Sequence, residues 1–304
     1  MENGRIHRFD RLVDEFVSLN SFSALQRMNT EYPHATRLLI EDVLSVGSVQ
    51  DALIEQRLRG YYLDSVMQTL LEDVHRMYAD LSREEQELFR VFGRIKEADA
   101  TFRVPMVYAQ VSGLNQSIVV GDSVLGISLD KYLGRDYPLY HKYYHDYQLR
   151  QMDRGRLVPD ALFYYLLHES PQPEGKRTLR DFLLTYGKIH WVIAHLRGVS
   201  LADETGVDRQ QAARFGQCEG RAWKMLSGND LLASSDTATL RRMMRPGDAA
   251  ADTTGVPPGI APWIGLRIVD SYMKSHPGTS VGDLLRMTDY AKLLGESGYQ
   301  PKDN

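Results

Sequence analysis

Two histidines with metal-ligand spacing lie near the middle of the chain. His141 and His145, in the segment HKYYH, are four residues apart, which places two imidazoles one turn apart on a helix. Zinc peptidases combine that spacing with a glutamate directly after the first histidine, where it activates the metal-bound water. Lys142 occupies that position here, and an ammonium group repels a cation and cannot accept the proton of the water. The pair therefore predicts aromatic-rich packing more strongly than a zinc site.

A second partial metal motif begins at His168. His168 and Glu169 form the His-Glu start, but Gln172 stands where the second histidine is required. Pro171 would also end the helix that has to present both ligands on one face. This segment therefore predicts a helix end and not a complete zinc site.

Other catalytic arrangements are missing from the sequence. His190 and His195 are five residues apart, roughly 140° around a helix, so one helix cannot direct both at one ion. Cys218 lies in a helical stretch, where a single cysteine is typical of a small core residue. There is no Gly-x-Ser-x-Gly elbow and no glycine-rich phosphate loop. We expect no catalytic residue, no metal and no cofactor, with these weak candidate ligands: His141, His145, His168 and Glu169.

Two aspartates follow the strand-like part of the segment 121–140, GDSVLGISLDKYLGRDYPLY. Asp130 and Asp136 are a possible carboxylate pair for acid–base chemistry. The pattern favours a structural role instead, in which Asp130 caps the turn after the strand and Asp136 is the N-cap of a helix over 137–152.

The overall composition sets limits on function. The chain has 304 residues, 36 basic and 40 acidic, so no positive excess is present to neutralise the phosphates of a nucleic acid. No apolar run approaches the roughly 18 residues of a membrane span. The opening MENGRIHRFDRLVDEF lacks the apolar core of a signal peptide. If the natural product is exported, we expect its targeting segment to lie upstream.

The hydrophobic periodicity predicts a helical array over 8–98, including an amphipathic helix over 8–30. Within it, one helix face is predicted to carry Leu63, Val66, Met67, Leu70, Leu71, Val74 and Met77. The period then changes, and three short strands are predicted at 104–112, 117–120 and 124–130, the last two as a hairpin. A second helical part is predicted over 137–297, with helices at 137–152, 158–169, 178–197, 208–226, 236–244, 262–275 and 280–297 and a Gly- and Pro-rich loop at 248–259. The fold class is therefore α+β and mainly helical.

The helix predicted over 262–275 has two features that point beyond simple packing. Gly265 within an apolar helix suggests the close approach of another backbone. Arg267 and Asp270 are three residues apart and can pair with each other or with a buried partner.

Short motifs follow one another in order from residue 6 to residue 302. They are Ile6, Arg8, Phe9 and Asp10; Asp130, Tyr132, Leu133, Gly134, Asp136, Tyr137 and Pro138; VPDALFYYLLHE (158–169); YGK (186–188); LLASSD (231–236); PPGIAPWIGLRIVDSYM (257–273); and SGYQPKD at the end. In this order they resemble the gliding-motility lipoprotein family GldB.

The resemblance implies a fold, a location and a set of candidate residues. It implies a single zincin-like domain over 1–304 that lacks the His-Glu-x-x-His motif and has a small, central, mostly antiparallel sheet. It implies an exported cell-envelope protein with envelope proteins as partners, attached to the membrane only through an N-terminal lipid anchor absent from this chain. The helix predicted over 262–275 is either a structural core helix or, as in zincin-like folds, a helix that lines a cleft opposite 158–169. The motif residues considered for such a cleft are Asp130, Tyr132, Asp136, Asp160, Trp263, Gly265 and Arg267.

Three functional hypotheses remain open at this stage. The first is a non-catalytic envelope component of the gliding-motility type that binds protein partners. The second is a zincin-like, metal-dependent hydrolase with an unusual ligand set, and the third is a helical regulator in the cytoplasm. The run YPLYHKYYHDY (137–147) has five tyrosines, typical either of a partner-binding face or of a packing face. Burial would separate these two interpretations.

Overall fold

The structure, a computed structural model, describes residues 4–228, 230–244 and 256–302. These ranges are mainly helical, with one small sheet of mixed strand direction. The chain divides into two compact units, one of Met1–Lys96 with Thr101–Tyr165 and the other of Glu97–Ala100 with Leu166–Asn304. The single domain predicted for residues 1–304 stays a prediction. Most of the predicted loop at 248–259 lies outside the described residues.

The sheet belongs to the first unit and has four strands in the order β1-β2-β4-β3. They are β1 (Ile6–His7), β2 (Met106–Gln110), β3 (Ile118–Gly121) and β4 (Val124–Ser128). The predicted hairpin is confirmed, since β3 and β4 pair antiparallel. The predicted mostly antiparallel sheet is wrong, because β1–β2 and β2–β4 are both parallel. The hairpin folds back so that β4 inserts beside β2, and two reversals give β2 and β4 the same direction.

The helices of the first unit lie before and after strands β2–β4 in sequence. They are α1 (Phe9–Leu19), α2 (Phe22–Thr30), α3 (Pro33–Arg37), a π-helical turn (Leu38–Val43), α4 (Ile54–Tyr62), α5 (Ser65–Met77), α6 (Ser82–Ala98), α7 (Asp146–Leu149) and α8 (Leu157–Glu169). The last residues of α6 and α8 belong to the second unit. The predicted helix over 8–30 is two helices, because Asn20 has a left-handed φ of 53° and the Ser21 hydroxyl accepts from the Ala24 amide to start α2. Such a residue ends a helix, and a serine in this position caps the next one.

The helix predicted over 137–152 is wrong. That segment contains one 3₁₀ turn (Tyr140–Lys142) and the four-residue helix α7. Three tyrosine hydroxyls in the segment bond to groups elsewhere in the unit: Tyr137 to Asp73, Tyr140 to the Asp130 carbonyl and Tyr144 to the Leu114 carbonyl. Because these partners belong to separate segments of the chain, α5, the turn after β4 and the loop after β2, the tertiary bonds prevail over a continuous helix. Tertiary context routinely overrides local propensity in this way.

The second unit contains seven complete α-helices in its described residues. They are α9 (Leu179–Arg197), α10 (Leu201–Thr205), α11 (Arg209–Gly228), α12 (Thr237–Met244), α13 (Ile260–Ser275), α14 (Val281–Arg286) and α15 (Tyr290–Glu296). The helix predicted over 280–297 is therefore two helices. No helix in the described part of the chain combines the length and the apolar content needed to cross a membrane.

Helices α9 and α13 cross at glycines, which confirms the close approach predicted for Gly265. A Cβ on Gly265 would meet the Leu183 carbonyl oxygen at 2.2 Å, and one on Gly187 would meet the Gly265 carbonyl oxygen at 2.4 Å. Only glycine leaves room for backbones this close. The crossing places fully buried Ile264 and Leu266 in the core of the second unit.

Candidate functional site

The candidate site lies at the carboxyl edge of the two central strands. Since β2 and β4 are parallel and in register from Met106↔Val124 to Gln110↔Ser128, both chains leave the sheet at the same edge. Four polar side chains there are fully buried: Gln110, Ser112, Ser128 and Asp130. Most polar groups without contact to water have hydrogen-bond partners within the protein.

The Asp130 carboxylate is the main hydrogen-bond acceptor at this edge of the sheet. It accepts from the amides of Ser112, at 2.9 Å, and Leu114, at 2.7 Å, and from the Ser112 hydroxyl at 3.2 Å. Burial raises the pKa of the Asp130 carboxyl, and the two amide hydrogen bonds oppose that rise. Asp130 is predicted to cap the turn after its own strand, and this prediction is wrong. The carboxylate instead caps the loop that follows the neighbouring strand β2.

Lys131 connects the same loop to the tyrosine segment. Its ammonium donates to the Leu114 carbonyl at 3.2 Å and to the Tyr144 hydroxyl at 2.7 Å, and lies 4.3 Å from the centre of the Tyr144 ring. The Tyr144 hydroxyl donates to the same carbonyl at 2.7 Å. Burial lowers the pKa of Lys131, while the charge of Asp130 acts in the opposite direction. Sequence reasoning missed Lys131 and Ser112, since no local pattern marks their contacts.

The other predicted motif residues have separate positions. Tyr132 and Asp160 come together, because the Tyr132 hydroxyl donates to the Asp160 carboxylate at 3.1 Å and Arg156 binds its second oxygen at 2.8 Å. Asp136 is exposed and caps no long helix, so its predicted N-cap role is wrong. Asp130 is fully buried and Asp136 is exposed, so the two residues of the possible carboxylate pair have different surroundings.

A cleft of about 670 Å³ is lined in part by Leu114 and Tyr144, the two partners of Lys131. We call it the tyrosine cleft. Its lining includes Tyr61, Val66, Gly113, Leu114, Tyr143 and Tyr144. Gly113 has a φ of +65°, and a Cβ there would meet the Tyr61 hydroxyl at 2.4 Å, so this position requires glycine. Leu114 shares a left-handed φ of 65°. The Asp130 carboxylate thus stabilises the strained loop that forms one wall of the cleft.

The rim of the tyrosine cleft is apolar and exposed. Tyr143 is 65% exposed and Val66 is 44% exposed, whereas Met67 and Leu70 are buried beneath them. The helix face predicted over 63–77 is therefore only partly buried, with Leu63, Val66 and Met77 open to solvent. Burial divides the tyrosine run, since Tyr140 is fully buried and Tyr143 is exposed. Packing is therefore confirmed for Tyr140, and a partner-binding role for the exposed part stays a prediction.

Three of the predicted motif residues belong to the second unit: Trp263, Arg267 and Gly265, whose close packing against α9 is described above. Half-buried Trp263 packs against Phe215, with ring centres 5.9 Å apart. Arg267 bonds to both Asp270 and Glu219, each at 3.2 Å, which confirms the predicted pairing of Arg267 with Asp270. Arg267, Asp270 and Glu219 line a polar cleft of about 470 Å³ within that unit. The cleft predicted between 158–169 and 262–275 stays a prediction.

The histidines considered as metal ligands do not form a metal centre in the described residues. His141 lies in a 3₁₀ turn and His145 precedes α7, where its ring stacks on Tyr147. His168 and Glu169 lie at the end of α8, 3.9 Å apart. Within residues 4–228, 230–244 and 256–302, no group of three or more histidine, cysteine or acidic side chains is placed to hold an ion. The expected absence of a bound metal stays a prediction.

Together, the fold and the site define a mainly helical α+β protein in which the motif tyrosines and aspartates hold a small mixed sheet and shape an adjoining cleft. The chain belongs to the GldB family: the family model described as gliding motility protein GldB matches residues 2–301. No curated protein and no solved structure gives a match to the chain. The zincin-like architecture implied by the resemblance stays a prediction.

Proposed function

We propose that this protein is a lipid-anchored component of the cell envelope, of the gliding-motility type, that acts without catalysis by binding a partner protein in the tyrosine cleft. Membership of the GldB family supports the connection with gliding motility. The envelope location and the lipid anchor follow the resemblance of the motifs described above. The binding role is supported by the site itself.

The apolar rim of the tyrosine cleft is the observation that carries the proposal. Val66 and Tyr143 keep 44% and 65% of their surface in water although both line a concave site. The nearby polar groups are already engaged, since Lys131, Tyr144 and the Leu114 carbonyl bond to one another. Exposed aromatic and aliphatic groups around a preformed cavity are typical of a site that buries an anchoring side chain of a partner.

The chemistry of the lining defines the partner segment. The floor formed by Met67 and Leu70 is apolar, so it fits an aliphatic or aromatic side chain. Exposed Asp64 also lines the cleft and offers a carboxylate beside that floor. The occupant is therefore a protein segment with an apolar anchor next to a lysine, an arginine or a free backbone N–H.

Gliding cells that lack the gene provide the direct test. The double variant Val66→Ser/Tyr143→Ser removes the apolar rim from exposed positions, and Phe22→Ser removes an apolar group that is 77% exposed in the same unit but outside the cleft. We expect the double variant to accumulate normally and fail to restore gliding, while Phe22→Ser restores it. Normal gliding with the double variant would contradict the proposed role of the cleft.

A photo-crosslinking amino acid identifies the contact in the same cells. Placed at position 143, it is expected to capture a defined partner, and placed at position 22, it is expected to leave that partner uncaptured.

Metal content and peptide hydrolysis of the purified protein, with and without chelator, test the hydrolase alternative. Stoichiometric zinc together with chelator-sensitive hydrolysis would replace the binding hypothesis with a catalytic one.

A further inference from the structure

A second cleft in the first unit is lined by arginines. It has a volume of about 390 Å³, and its lining includes Arg5, Arg8, Arg11, Arg27, Glu15 and Tyr32. These arginines come from the segment around β1, from α1 and from α2. Four arginines thus line one concave space whose lining contains a single acidic residue. We call this site the arginine cleft.

The individual arginines differ in how far they are neutralised. Arg8 forms a two-bond pair with buried Asp10, at 2.9 and 2.6 Å, and also donates to the Tyr78 carbonyl. Arg27 pairs with Glu31 through Nε and Nη2, at 3.1 and 3.2 Å, which leaves its Nη1 outside the pair. Arg8 therefore has a structural role, and Arg27 keeps one donor group for a ligand.

Arg11 is the strongest ligand-binding candidate in the cleft. Its one hydrogen bond runs from Nη2 to the Ala79 carbonyl at 2.9 Å, and no carboxylate among the described residues pairs with it. A guanidinium group has five N–H donors, so most of its capacity remains available on an exposed side chain. Planar guanidinium groups bind phosphate oxygens through paired, charge-assisted hydrogen bonds.

The remaining lining describes the rest of the ligand. Ile6, Leu12 and the buried Tyr32 give the cleft an apolar floor beneath the cationic groups. The Tyr32 hydroxyl is 3.1 Å from Nδ1 of His7. Such a site accommodates an anion that is attached to a small organic group.

We propose that the arginine cleft binds a phosphate-bearing ligand, with Arg11 and Arg27 as its principal contacts and Glu15 limiting its affinity. Several donors from separate elements fit an anion that offers three or four oxygens in different directions. A carboxylate offers two oxygens in one plane and would leave part of this donor set unused. The proposal concerns a different surface from the tyrosine cleft and does not depend on the function proposed for it.

Calorimetric titration with inorganic phosphate at constant ionic strength tests the proposal. We expect wild-type protein to bind phosphate more tightly than acetate. Arg11→Gln/Arg27→Gln is expected to weaken phosphate binding at least tenfold, since charge-assisted hydrogen bonds from guanidinium groups to phosphate oxygens are stronger than neutral ones. The control Arg37→Gln removes a guanidinium that is 68% exposed and paired with Glu41 outside the cleft, and is expected to bind as wild type does.

Glu15→Gln gives a test in the opposite direction. Its carboxylate lines the cleft and accepts from the Ser21 hydroxyl at 2.8 Å. Removing this charge is expected to tighten phosphate binding roughly two- to fivefold, because a like charge near a ligand site opposes the anion. A gain of affinity cannot come from a misfolded variant. Equal phosphate affinities in the wild type and every variant, or equal affinity for acetate and phosphate, would overturn the proposal.

Vesicle sedimentation separates the two sources of a phosphate group. Vesicles of phosphatidylcholine with phosphatidylglycerol are compared with vesicles of phosphatidylcholine alone. Retention on the anionic vesicles that is lost in Arg11→Gln/Arg27→Gln supports a lipid headgroup as ligand. Binding of inorganic phosphate without vesicle retention supports a soluble phosphate compound. If neither form of phosphate binds, the proposal is wrong.

Discussion

Asp130 connects two loops of the site with one carboxylate. Its oxygens accept from the amides of Ser112 and Leu114, which lie 16 to 18 residues earlier in the chain. The side chain is fully buried, so water cannot replace either acceptor if the carboxylate is changed. A buried donor that loses its partner destabilises a protein by about 1–3 kcal/mol. Asp130, a residue of the family motif, therefore has a structural role: it supports the loop that forms one wall of the tyrosine cleft.

Asp130→Asn is therefore expected to lower the free energy of unfolding by about 2 kcal/mol or more. The amide keeps one acceptor oxygen, but its NH₂ group faces a backbone N–H that needs an acceptor. Asp136→Asn makes the same chemical change at an exposed position of the same motif and should alter stability by less than about 0.5 kcal/mol. Urea unfolding followed by circular dichroism measures both. Equal stabilities would show that the Asp130 bonds are not needed.

Helix α9 holds the carboxyl end of α14 through a buried lysine. The Lys188 ammonium is fully buried and donates to the carbonyls of Leu285 and Met287, at 2.9 and 3.0 Å. It also lies 5.3 Å from the centre of the Tyr290 ring. The last carbonyls of a helix lack partners within the helix, and a cation there satisfies them. Burial lowers the pKa of Lys188 from 10.5 to about 8.

This lowered pKa predicts a pH dependence of stability. Between pH 8 and 10.5 the unfolded chain keeps the Lys188 proton that the folded chain has lost. Raising the pH through this window therefore favours the folded state. From pH 7 to pH 9.5 the wild type should gain roughly 1–2 kcal/mol of stability relative to Lys188→Met.

The comparison of the two proteins isolates this effect. Burial raises the pKa of tyrosines such as Tyr140, so at high pH the unfolded chain loses their protons first and the folded state becomes less stable. Both proteins contain these tyrosines, so this effect cancels in the comparison. Lys274→Met removes one positive charge from a side chain that is 71% exposed and is the matched control. Urea unfolding at pH 7, 8, 9 and 9.5 provides the measurement. A constant difference between wild type and Lys188→Met would contradict the predicted proton loss.

The whole molecule consists of two compact units matched by one family model. The match covers residues 2–301 and so includes both units. Each unit is discontinuous in sequence, because Glu97–Ala100 belongs with the second unit although residues on both sides belong with the first. A chain that passes between units in this way is expected to fold both together, as the predicted single domain requires.

Two substitutions in different units test this prediction. Asp130→Asn lies in the first unit and Lys188→Met in the second. If the chain unfolds as one domain, each variant should show one thermal transition, and each should shift the same transition that is seen in the wild type. Differential scanning calorimetry resolves this. Two transitions, one moved by each variant, would establish two domains.

The sequence alone identified the long helices, the hairpin and the family. Helices α8, α9, α11 and α13 begin and end within a few residues of their predicted bounds, because their signals are local: apolar periodicity, caps and glycine. Gly265 likewise indicated a close backbone contact, since a glycine inside an apolar helix lowers helix stability and typically marks a tight packing position. The motif order identified the family, which the match over residues 2–301 confirms.

Only the tertiary structure decided how the site is assembled. The parallel pairing of β2 with β4 depends on strand insertion, and β1 is too short to carry a periodic pattern. The tyrosine segment at 137–147 has the local pattern of a helix but is broken by hydrogen bonds to distant groups. The position of Asp130 predicts a cap on its own turn, yet the carboxylate binds a loop after another strand. In each case the deciding contacts join residues far apart in sequence, and local patterns contain no information about such partners.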